Sequence, residues 1–441
     1  MHSPIESLRF MTYTNVFTRN ILRVAQGDSV GMAKRPDKQL IVALDIGTNK
    51  IVALVGEISP DNQIEIVGFG KHPSRGLKRG MVVNIEATVQ SIQRAVEEAE
   101  LMAGCDIHSA YTGIAGSHIS SLNSHGIVAI RDREVNQMDI DRVIDAAKAV
   151  AIPSDQKIIH ILPQEFIVDS QEGVREPAGM SGVRLEAKVH IVAGAVSAAQ
   201  NITKCVRQCG LKVNDIILEQ LASSYAVLSE DEKELGVCMI DIGGGTTDIA
   251  IFIDGAIRHT AVIPIAGDHV TNDVAVALRT PTQHAEEIKR QFSSALPDSV
   301  DPVEIIQVQN VANRAPREVQ RKILAQVVNA RYEEIFSLAL TEIRRSGFEH
   351  LISAGIVLTG GASKVEGAIE LAESIFQMPV RLGLPQNVGG LTEVCSDPTY
   401  STAVGLLLYG LQQQGNPYYF AQNKNASNVW SRMRNWFQGN F

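Results

Sequence analysis

Short apolar runs separated by polar turns are the main pattern at the centre of the chain. The runs 237–240 and 249–253 flank a polar, glycine-rich loop at 241–248, and Asp254-Gly255 is a signal for a tight turn into a third strand. Walker and dinucleotide-binding loops lead from a strand into a helix. This loop leads back into a strand, so the pattern predicts a β-hairpin of a different kind.

The loop at 241–248 reads Asp-Ile-Gly-Gly-Gly-Thr-Thr-Asp. Glycines let backbone N–H groups approach a phosphate without interference from a Cβ atom, and threonine hydroxyls add hydrogen-bond donors. Because a carboxylate can hold a metal ion or its water shell, we expect Asp241 to bind metal. A glycine turn that only joins two strands is the alternative. The predicted phosphate ligands are Gly243, Gly244, Gly245, Thr246 and Thr247.

A second copy of this arrangement lies near the beginning of the chain. Apolar runs at 41–44 and 51–55 flank a shorter polar loop, and a turn at 59–62 precedes another strand. Asp45 is again the expected metal-binding residue. The predicted phosphate ligands of this copy are Gly47, Thr48, Asn49 and Lys50. A duplicated half with a phosphate hairpin in each copy predicts two lobes that hold one nucleotide between them.

Together with a third loop, the two hairpins resemble the actin, Hsp70 and sugar-kinase superfamily. The third loop, Gly-Ile-Val-Leu-Thr-Gly-Gly-Ala-Ser at 355–363, is similar to the adenosine loop of that superfamily. The resemblance implies an α/β, actin-like two-lobed ATPase fold with ATP and Mg²⁺ in its cleft. The residues that it implies for adenosine binding are Glu286, Lys289, Gly360, Gly361 and Ser363.

The resemblance also implies a role for one carboxylate on the helix that leads to the second lobe. Glu219 occupies the place where relatives orient the attacking water, so it is the expected catalytic base. The alternative is an ordinary solvated carboxylate. A surface ion pair is likewise the alternative for Glu286 and Lys289, which stand three positions apart on one helical face.

Composition narrows the classes of partner. The net charge of −9 argues against nucleic acid as the main partner, since a protein that binds phosphate backbones needs clustered Lys and Arg. Five scattered cysteines favour a reducing compartment and do not have the spacing of a zinc site. No apolar run approaches the ~18 residues that a membrane-spanning helix requires.

The stretch 115–193 interrupts the first lobe with short strands, one helix and a loop rich in Gly, Glu and Pro, and it carries no catalytic constellation. An actin-like chain with a small α/β insertion at this place resembles the FtsA family of bacterial cell division proteins. The similarity covers nearly everything from about residue 39 to the C-terminus, including 163–166, 182–190 and 221–225. In that family the insertion is subdomain 1C, and subdomain 1B of actin is missing.

The resemblance and the composition together predict the organisation of the chain. Met32 is interpreted as the true start, in preference to an organelle transit peptide before it. The expected parts are an unstructured extension at 1–35, subdomain 1A at 36–114 and 194–234, subdomain 1C at 115–193, subdomain 2A at 235–270 and 347–412, subdomain 2B at 271–346, a flexible linker at 413–427 and an amphipathic helix at 428–441.

The C-terminal segment has the pattern of a helix that lies in a membrane interface. Apolar and aromatic residues share one helical face, arginines flank it, and no Asp or Glu follows Asp397. The expected membrane contacts are Val429, Trp430, Arg432, Met433, Arg434, Trp436 and Phe437. Docking onto the protein's own core and binding to another protein are the alternatives.

The resemblance implies partners and a function. In the FtsA family subdomain 2B receives the C-terminal peptide of the tubulin-like FtsZ, so Arg317 and Arg321, on the predicted helix 316–346, are expected contacts. Family members form protofilaments of their own chain, recruit later division proteins through subdomain 1C, and tether the FtsZ ring to the cytoplasmic face of the inner membrane. We expect nucleotide to act mainly as a switch, with slow hydrolysis at most. A pilus-assembly ATPase or a sugar or acid kinase is the alternative.

Overall fold

The computed structural model describes residues 39–311 and 315–415. The strands are β1 (Leu40–Ile46), β2 (Lys50–Ile58), β3 (Ile64–Pro73), β4 (Leu77–Lys78), β5 (Met81–Val82), β6 (Ser109–Ile114), β7 (Ser120–Ala129), β8 (Gln156–Val168), β9 (Gln171–Val174), β10 (Arg184–Ala195), β11 (Lys212–Leu218), β12 (Val237–Ile242), β13 (Thr247–Ile253), β14 (Ala256–Ile263), β15 (Ile305–Val308), β16 (Arg317–Gln320), β17 (Ile356–Thr359), β18 (Val380–Leu382) and β19 (Val388–Gly390).

The α-helices of the described residues cover the faces of the sheets. They are α1 (Ile85–Ala103), α2 (Gln137–Ala147), α3 (Val196–Gln208), α4 (Glu219–Val227), α5 (Glu230–Leu235), α6 (Gly267–Ala277), α7 (Thr282–Phe292), α8 (Arg321–Ser346), α9 (Ala368–Phe376), α10 (Thr392–Cys395) and α11 (Ser401–Gly415).

The two lobes repeat one sheet topology, as the duplicated hairpins predict. The first sheet has the order β11-β6-β1-β2-β3-β19 and the second has the order β14-β13-β12-β17-β18. In each sheet three antiparallel strands are continued on one side by two parallel ones, and in the first sheet β19 adds a parallel strand beside β3 at the other edge. Every residue of β12 and β13 is buried, because helices cover both faces of the sheet. The apolar runs in the sequence therefore form the central strands.

Helices α4 and α11 join the two lobes through a shared hydrophobic core. This core contains Ile41 and Val52 from the first sheet, Met239 from the second, and Leu221 and Leu407 from the two helices, all of them 4% exposed or less. Each lobe has a further core of its own on the other face of its sheet. The two phosphate hairpins are thus carried by sheets that pack against one common layer.

The insertion is a small sheet, β7-β10-β8-β9, with α2 packed against it. It also contacts the second lobe (lobe II, which contains β12–β14), where its polar side chains meet the backbone and a hydroxyl of β14. Gln164 Nε2 donates to the carbonyl of Ile257 at 2.9 Å, and His190 Nε2 lies 3.0 Å from Thr260 Oγ1. Burial and the nearby His259 lower the pKa of His190 to about 4, so this ring is neutral at physiological pH. The insertion therefore bridges the lobes.

The boundaries of two predicted elements are wrong. The helix expected from residue 316 begins at Arg321, because residues 317–320 pair as β16 with β15 instead. Arg317 consequently lies on a strand. Helix α11 runs to Gly415, so the first residues of the expected linker at 413–427 are helical.

Several predicted features lie outside the described residues. They are the extension at 1–35, the linker beyond Gly415 and the amphipathic helix at 428–441 with its seven expected membrane contacts. Within the part of the chain that the structure describes, no helix combines the length and apolarity needed to cross a bilayer.

Candidate functional site

The two phosphate hairpins face each other across one cleft, as the sequence predicts. The loop between β1 and β2 and the loop between β12 and β13 enclose a cavity of about 60 Å³. Asn49 Nδ2, in the first loop, donates to Asp268 Oδ1 at the start of α6, 3.1 Å away. A Cβ atom added to Gly245 would lie only 2.5 Å from Thr48 Oγ1. The loops are therefore in direct contact, and Gly245 permits that contact.

Acidic side chains converge on this cavity. Asp45, Asp241 and Asp248 are 4%, 7% and 4% exposed, and Glu219 lines the same cavity from the first turn of α4. Lys50 is the one basic residue among those that line it, and its Nζ lies 3.8 Å from Asp45 Oδ2. The phosphate end of the cleft thus carries more negative than positive groups.

Burial raises the pKa of each of these carboxyl groups. For Asp248 the pKa rises to about 8, through burial first and the neighbouring Asp241 second. Burial also raises the pKa of Glu219 well above its usual range, and Asp45, Asp248 and Asp241 add to the effect. For Asp45 and Asp241 burial outweighs the opposing influence of Lys50. A cation in the cleft would reverse these shifts.

The donor set fits a magnesium ion that is shared with phosphates. Among the described residues, no three His, Cys, Asp or Glu are grouped so that they could hold a metal by themselves. Mg²⁺ is usually held by one or two carboxylates together with phosphate and water oxygens. Asp241 is well placed for this, since Ser223 Oγ and Thr402 Oγ1 fix its Oδ2 from 2.6 and 3.3 Å. Asp248 Oδ1 is buried without a hydrogen-bond partner in the described structure.

Hydrogen bonds through Gly267 connect the pair Glu286 and Lys289 to the loop between β12 and β13. Lys289 Nζ lies 2.6 Å from Glu286 and donates to Thr271 Oγ1 and to the carbonyl of Gly267 at 2.8 and 3.0 Å. The amide of Gly267 in turn donates to the carbonyl of Gly243 at 3.1 Å. Burial alone would raise the pKa of Glu286, but Lys289 holds it below its ordinary value. The pair is therefore an internal element of lobe II and not a surface ion pair.

The expected adenosine loop follows β17 and is held from both sides. Ser363 Oγ donates to the carbonyl of Gly360 at 2.7 Å, and the hydroxyl of Tyr332, on α8, donates to the carbonyl of Ala362 at 2.6 Å. Gly360 has a φ of 86° and a ψ of 163°, a conformation that is essentially restricted to glycine. The loop is thus a fixed element that lies beside the phosphate hairpins.

Most of the residues predicted for nucleotide, metal and catalysis meet in this cleft, but Thr247, Glu286, Lys289 and Ser363 do not line it. Thr247 is directed away, because its hydroxyl donates to the carbonyl of Ile265 at 2.8 Å. Arg317 donates to the carbonyl of Leu278 at 2.6 Å, and Arg321 forms ion pairs with Glu304 and Glu366. The predicted residues that line the cleft are Asp45, Gly47, Thr48, Asn49, Lys50, Glu219, Asp241, Gly243, Gly244, Gly245, Thr246, Gly360 and Gly361.

Asp248, Gly80 and Thr402 also line the cleft, and they were not predicted from the sequence. Asp248 could have been found, because it pairs directly with Asp241 across the hairpin and paired residues share one face of a sheet. Gly80 and Thr402 come from distant parts of the chain, and no local pattern indicates them.

A second, larger cavity lies on lobe II between α6 and the first turns of α8. Its volume is about 620 Å³, and five of its nine lining residues are apolar. Val276 and Ile323 at its rim are 77% and 43% exposed. Arg331 and Asp273 form an ion pair of 2.6 Å beside them. This groove is referred to below as the α6–α8 groove.

We expect Lys289→Ala to destabilise the protein by about 2 kcal/mol in urea unfolding, because it leaves the partly buried Glu286 without its closest cation. Arg290 contacts the same carboxylate at 2.7 Å, but its side chain is 64% exposed. Arg290→Ala is therefore the matched control, with an expected loss of less than about 0.5 kcal/mol. Equal losses for the two variants would contradict this account.

Comparison with known protein structures supports the fold. The PilM-PilN type IV pilus biogenesis complex matches with a TM-score of 0.62 at 17% identity, over 85% of this chain and 99% of that chain. MreB5 of Spiroplasma citri bound to ADP matches with a TM-score of 0.51 at 15% identity, over 85% of this chain and 97% of that chain. Likeness at this level of identity concerns the fold alone, and it confirms the predicted α/β actin-like architecture.

Comparison of sequences identifies the family. Residues 238–405 match the family model "Cell division protein FtsA", and residues 116–193 match "SHS2 domain inserted in FTSA". The cell division protein FtsA of Pseudomonas aeruginosa is 65% identical over 417 residues, which cover 93% of this chain and 100% of the relative. FtsA of Escherichia coli is 46% identical over 420 residues, again 93% and 100% of the two chains. The chain therefore belongs to the FtsA family of bacterial cell division proteins.

Proposed function

We propose that this division protein binds ATP and Mg²⁺ between its lobes and tethers the FtsZ ring to the cytoplasmic face of the inner membrane at the division septum. In this proposal the α6–α8 groove holds the C-terminal peptide of FtsZ, and the C-terminal helix holds anionic lipid. The chain also forms protofilaments with itself and recruits later division proteins through its insertion. The contact of the two hairpin loops over buried carboxylates is the observation that carries the nucleotide part.

In the cleft, the backbone N–H groups of both loops and the ammonium of Lys50 would hold the phosphates, while Asp45 and Asp241 would hold the metal. Magnesium would neutralise phosphate charge and favour the ionised carboxylates. The cavity of about 60 Å³ lies at the proposed phosphate end of the cleft, and in this proposal the lobes move apart to admit the nucleotide. Closure around ATP would then act as the switch for polymerisation.

Glu219 remains the proposed base for slow hydrolysis. It lines the cleft beside Asp45 and Asp241, and a cation bound there would favour the ionised carboxylate that can accept a proton from the attacking water.

The α6–α8 groove supports the FtsZ part of the proposal. A helix or extended peptide with apolar anchors would cover the exposed Val276 and Ile323, whose burial contributes about 1–2 kcal/mol each. Arg331 and Asp273 at the rim would orient the peptide. Arg317 and Arg321 stay proposed as further contacts.

Lipid attachment by one C-terminal helix would be weak and reversible, because a few half-buried side chains and two arginines contribute little after the helix is ordered. Several tails on one protofilament would bind strongly through avidity. The two FtsA relatives align with this chain over their whole length. Membership of that family disfavours the pilus-assembly and kinase alternatives.

The proposal is tested by sedimentation of anionic vesicles with the full chain, FtsZ, ATP and Mg²⁺. We expect FtsZ to sediment only when the chain is present. Ile323→Glu should leave the chain on the vesicles and release FtsZ, whereas replacing Trp430 and Trp436 by Ala should leave FtsZ bound to the chain in the supernatant.

Leu338→Glu is the matched control for the groove. Leu338 lies on the same helix and is 36% exposed, but it does not line the groove. FtsZ that stays in the supernatant with the unmodified chain, or equal effects of the two glutamates, would contradict the proposal.

A further inference from the structure

The short hairpin formed by β4 and β5 has an unusual turn. Arg79 and Gly80, its two central residues, have φ values of 50° and 76°. Two left-handed residues are typical of a two-residue hairpin loop, where Asn and Gly are favoured. A long side chain at positive φ is uncommon, and residues held in this way cluster at functional sites.

This turn touches both phosphate loops. The amide of Gly80 donates to Thr48 Oγ1 at 2.9 Å, and Gly80 lines the cleft. A Cβ atom added to Gly245 would lie 3.0 Å from the Cα of Arg79. The backbone of the turn thus lies where the two lobes meet, and the Arg79 side chain is attached at this position.

The guanidinium of Arg79 is available for a ligand. Its side chain is exposed, and within residues 39–311 and 315–415 it makes no hydrogen bond and no ion pair. By contrast, the ammonium of Lys50 already faces Asp45 at 3.8 Å. Four carboxylates and one ammonium line the cavity, so a cation at its rim would add to the attraction that Lys50 and magnesium would provide for a triphosphate.

We infer that Arg79 is an additional phosphate-binding residue, which makes the cleft selective for nucleoside triphosphate over diphosphate. The inference rests on the proposed binding of ATP. The planar guanidinium pairs with two phosphate oxygens at once, and charge-assisted hydrogen bonds of this kind are about twice as strong as neutral ones. Because the turn lies where both loops meet, its contact with the terminal phosphate would also hold the lobes closed.

The test compares ATP and ADP binding to the full chain by titration calorimetry at constant Mg²⁺. Asparagine tolerates the left-handed backbone, so Arg79→Asn removes the charge with little strain in the turn. We expect Arg79→Asn to weaken ATP binding at least tenfold and ADP binding less than threefold, and Arg79→Lys to recover part of the difference.

Lys78→Asn is the matched control, because Lys78 is exposed in the same hairpin, one position earlier. It should leave the affinities for both nucleotides unchanged. Thermal melting checks that the Arg79 variants fold. Equal weakening of ATP and ADP, or an unchanged ratio, would overturn the role of Arg79 while ATP binding itself stands. Failure of the unmodified chain to bind either nucleotide would overturn both proposals.

Discussion

Gly360→Ala should destabilise the protein by about 4 kcal/mol and remove most of its nucleotide affinity. At φ 86° and ψ 163° an alanine is strained by about 1–3 kcal/mol. Its Cβ would also lie 2.3 Å from Asp241 Oδ1 and 2.5 Å from the carbonyl oxygen of Ile242. Relieving these overlaps costs roughly 1–3 kcal/mol more and displaces Asp241, the residue proposed to bind magnesium.

The neighbouring glycine provides the control. A Cβ atom on Gly361 would meet Thr399 at 3.5 Å, which is an ordinary contact. Gly361→Ala should therefore change the free energy of unfolding by less than about 1 kcal/mol. Urea unfolding without nucleotide measures both variants. Equal losses of stability for the two variants would contradict the close contact described between this loop and β12.

The core of the fold was predictable because it depends on local patterns. Buried strands such as β12 and β13 appear as apolar runs, and the turn at Asp254-Gly255 has the residues that a left-handed turn requires. The two hairpins share one pattern, so recognising one indicates the other. Most of the loop residues that line the cleft belong to these two hairpins, so they too were predicted from the sequence.

Features that depend on packing between distant segments were not predictable. Thr247 carries the same hydroxyl as Thr246, but strand alternation directs it toward Ile265 and away from the cleft. Residues 317–320 become a strand only because β15 is beside them. The docking of the insertion on β14 involves polar side chains with no periodic signal, such as Gln164 and His190.

The carboxylate cluster leads to a second large effect, a loss of stability with rising pH in the absence of metal and nucleotide. The pKa of Asp248 rises from 3.8 to about 8 on folding. Between these values the folded state retains a proton that the unfolded chain has lost, so the free energy of unfolding falls as pH increases. At 1.36 kcal/mol per pKa unit, the upper limit for this one group is roughly 6 kcal/mol.

Urea unfolding at pH 5, 6.5 and 8 in EDTA measures this effect when the chain is compared with Asp248→Asn. The asparagine cannot ionise, so the variant should lose less stability between pH 5 and pH 8, by about 2 kcal/mol or more. Asp254→Asn, in the turn that follows the same strand, is the matched control and should keep the pH dependence of the unmodified chain, because that side chain is 70% exposed.

Magnesium should reduce the pH dependence of the unmodified chain, since a bound cation favours the ionised carboxylates that burial disfavours. Asp248→Asn should respond less, because one of the disfavoured charges is already absent. Identical pH profiles for the chain and for Asp248→Asn would mean that Asp248 is ionised in the folded state. The cleft would then need no cation to hold its carboxylates together, and the proposed magnesium site would lose its electrostatic basis.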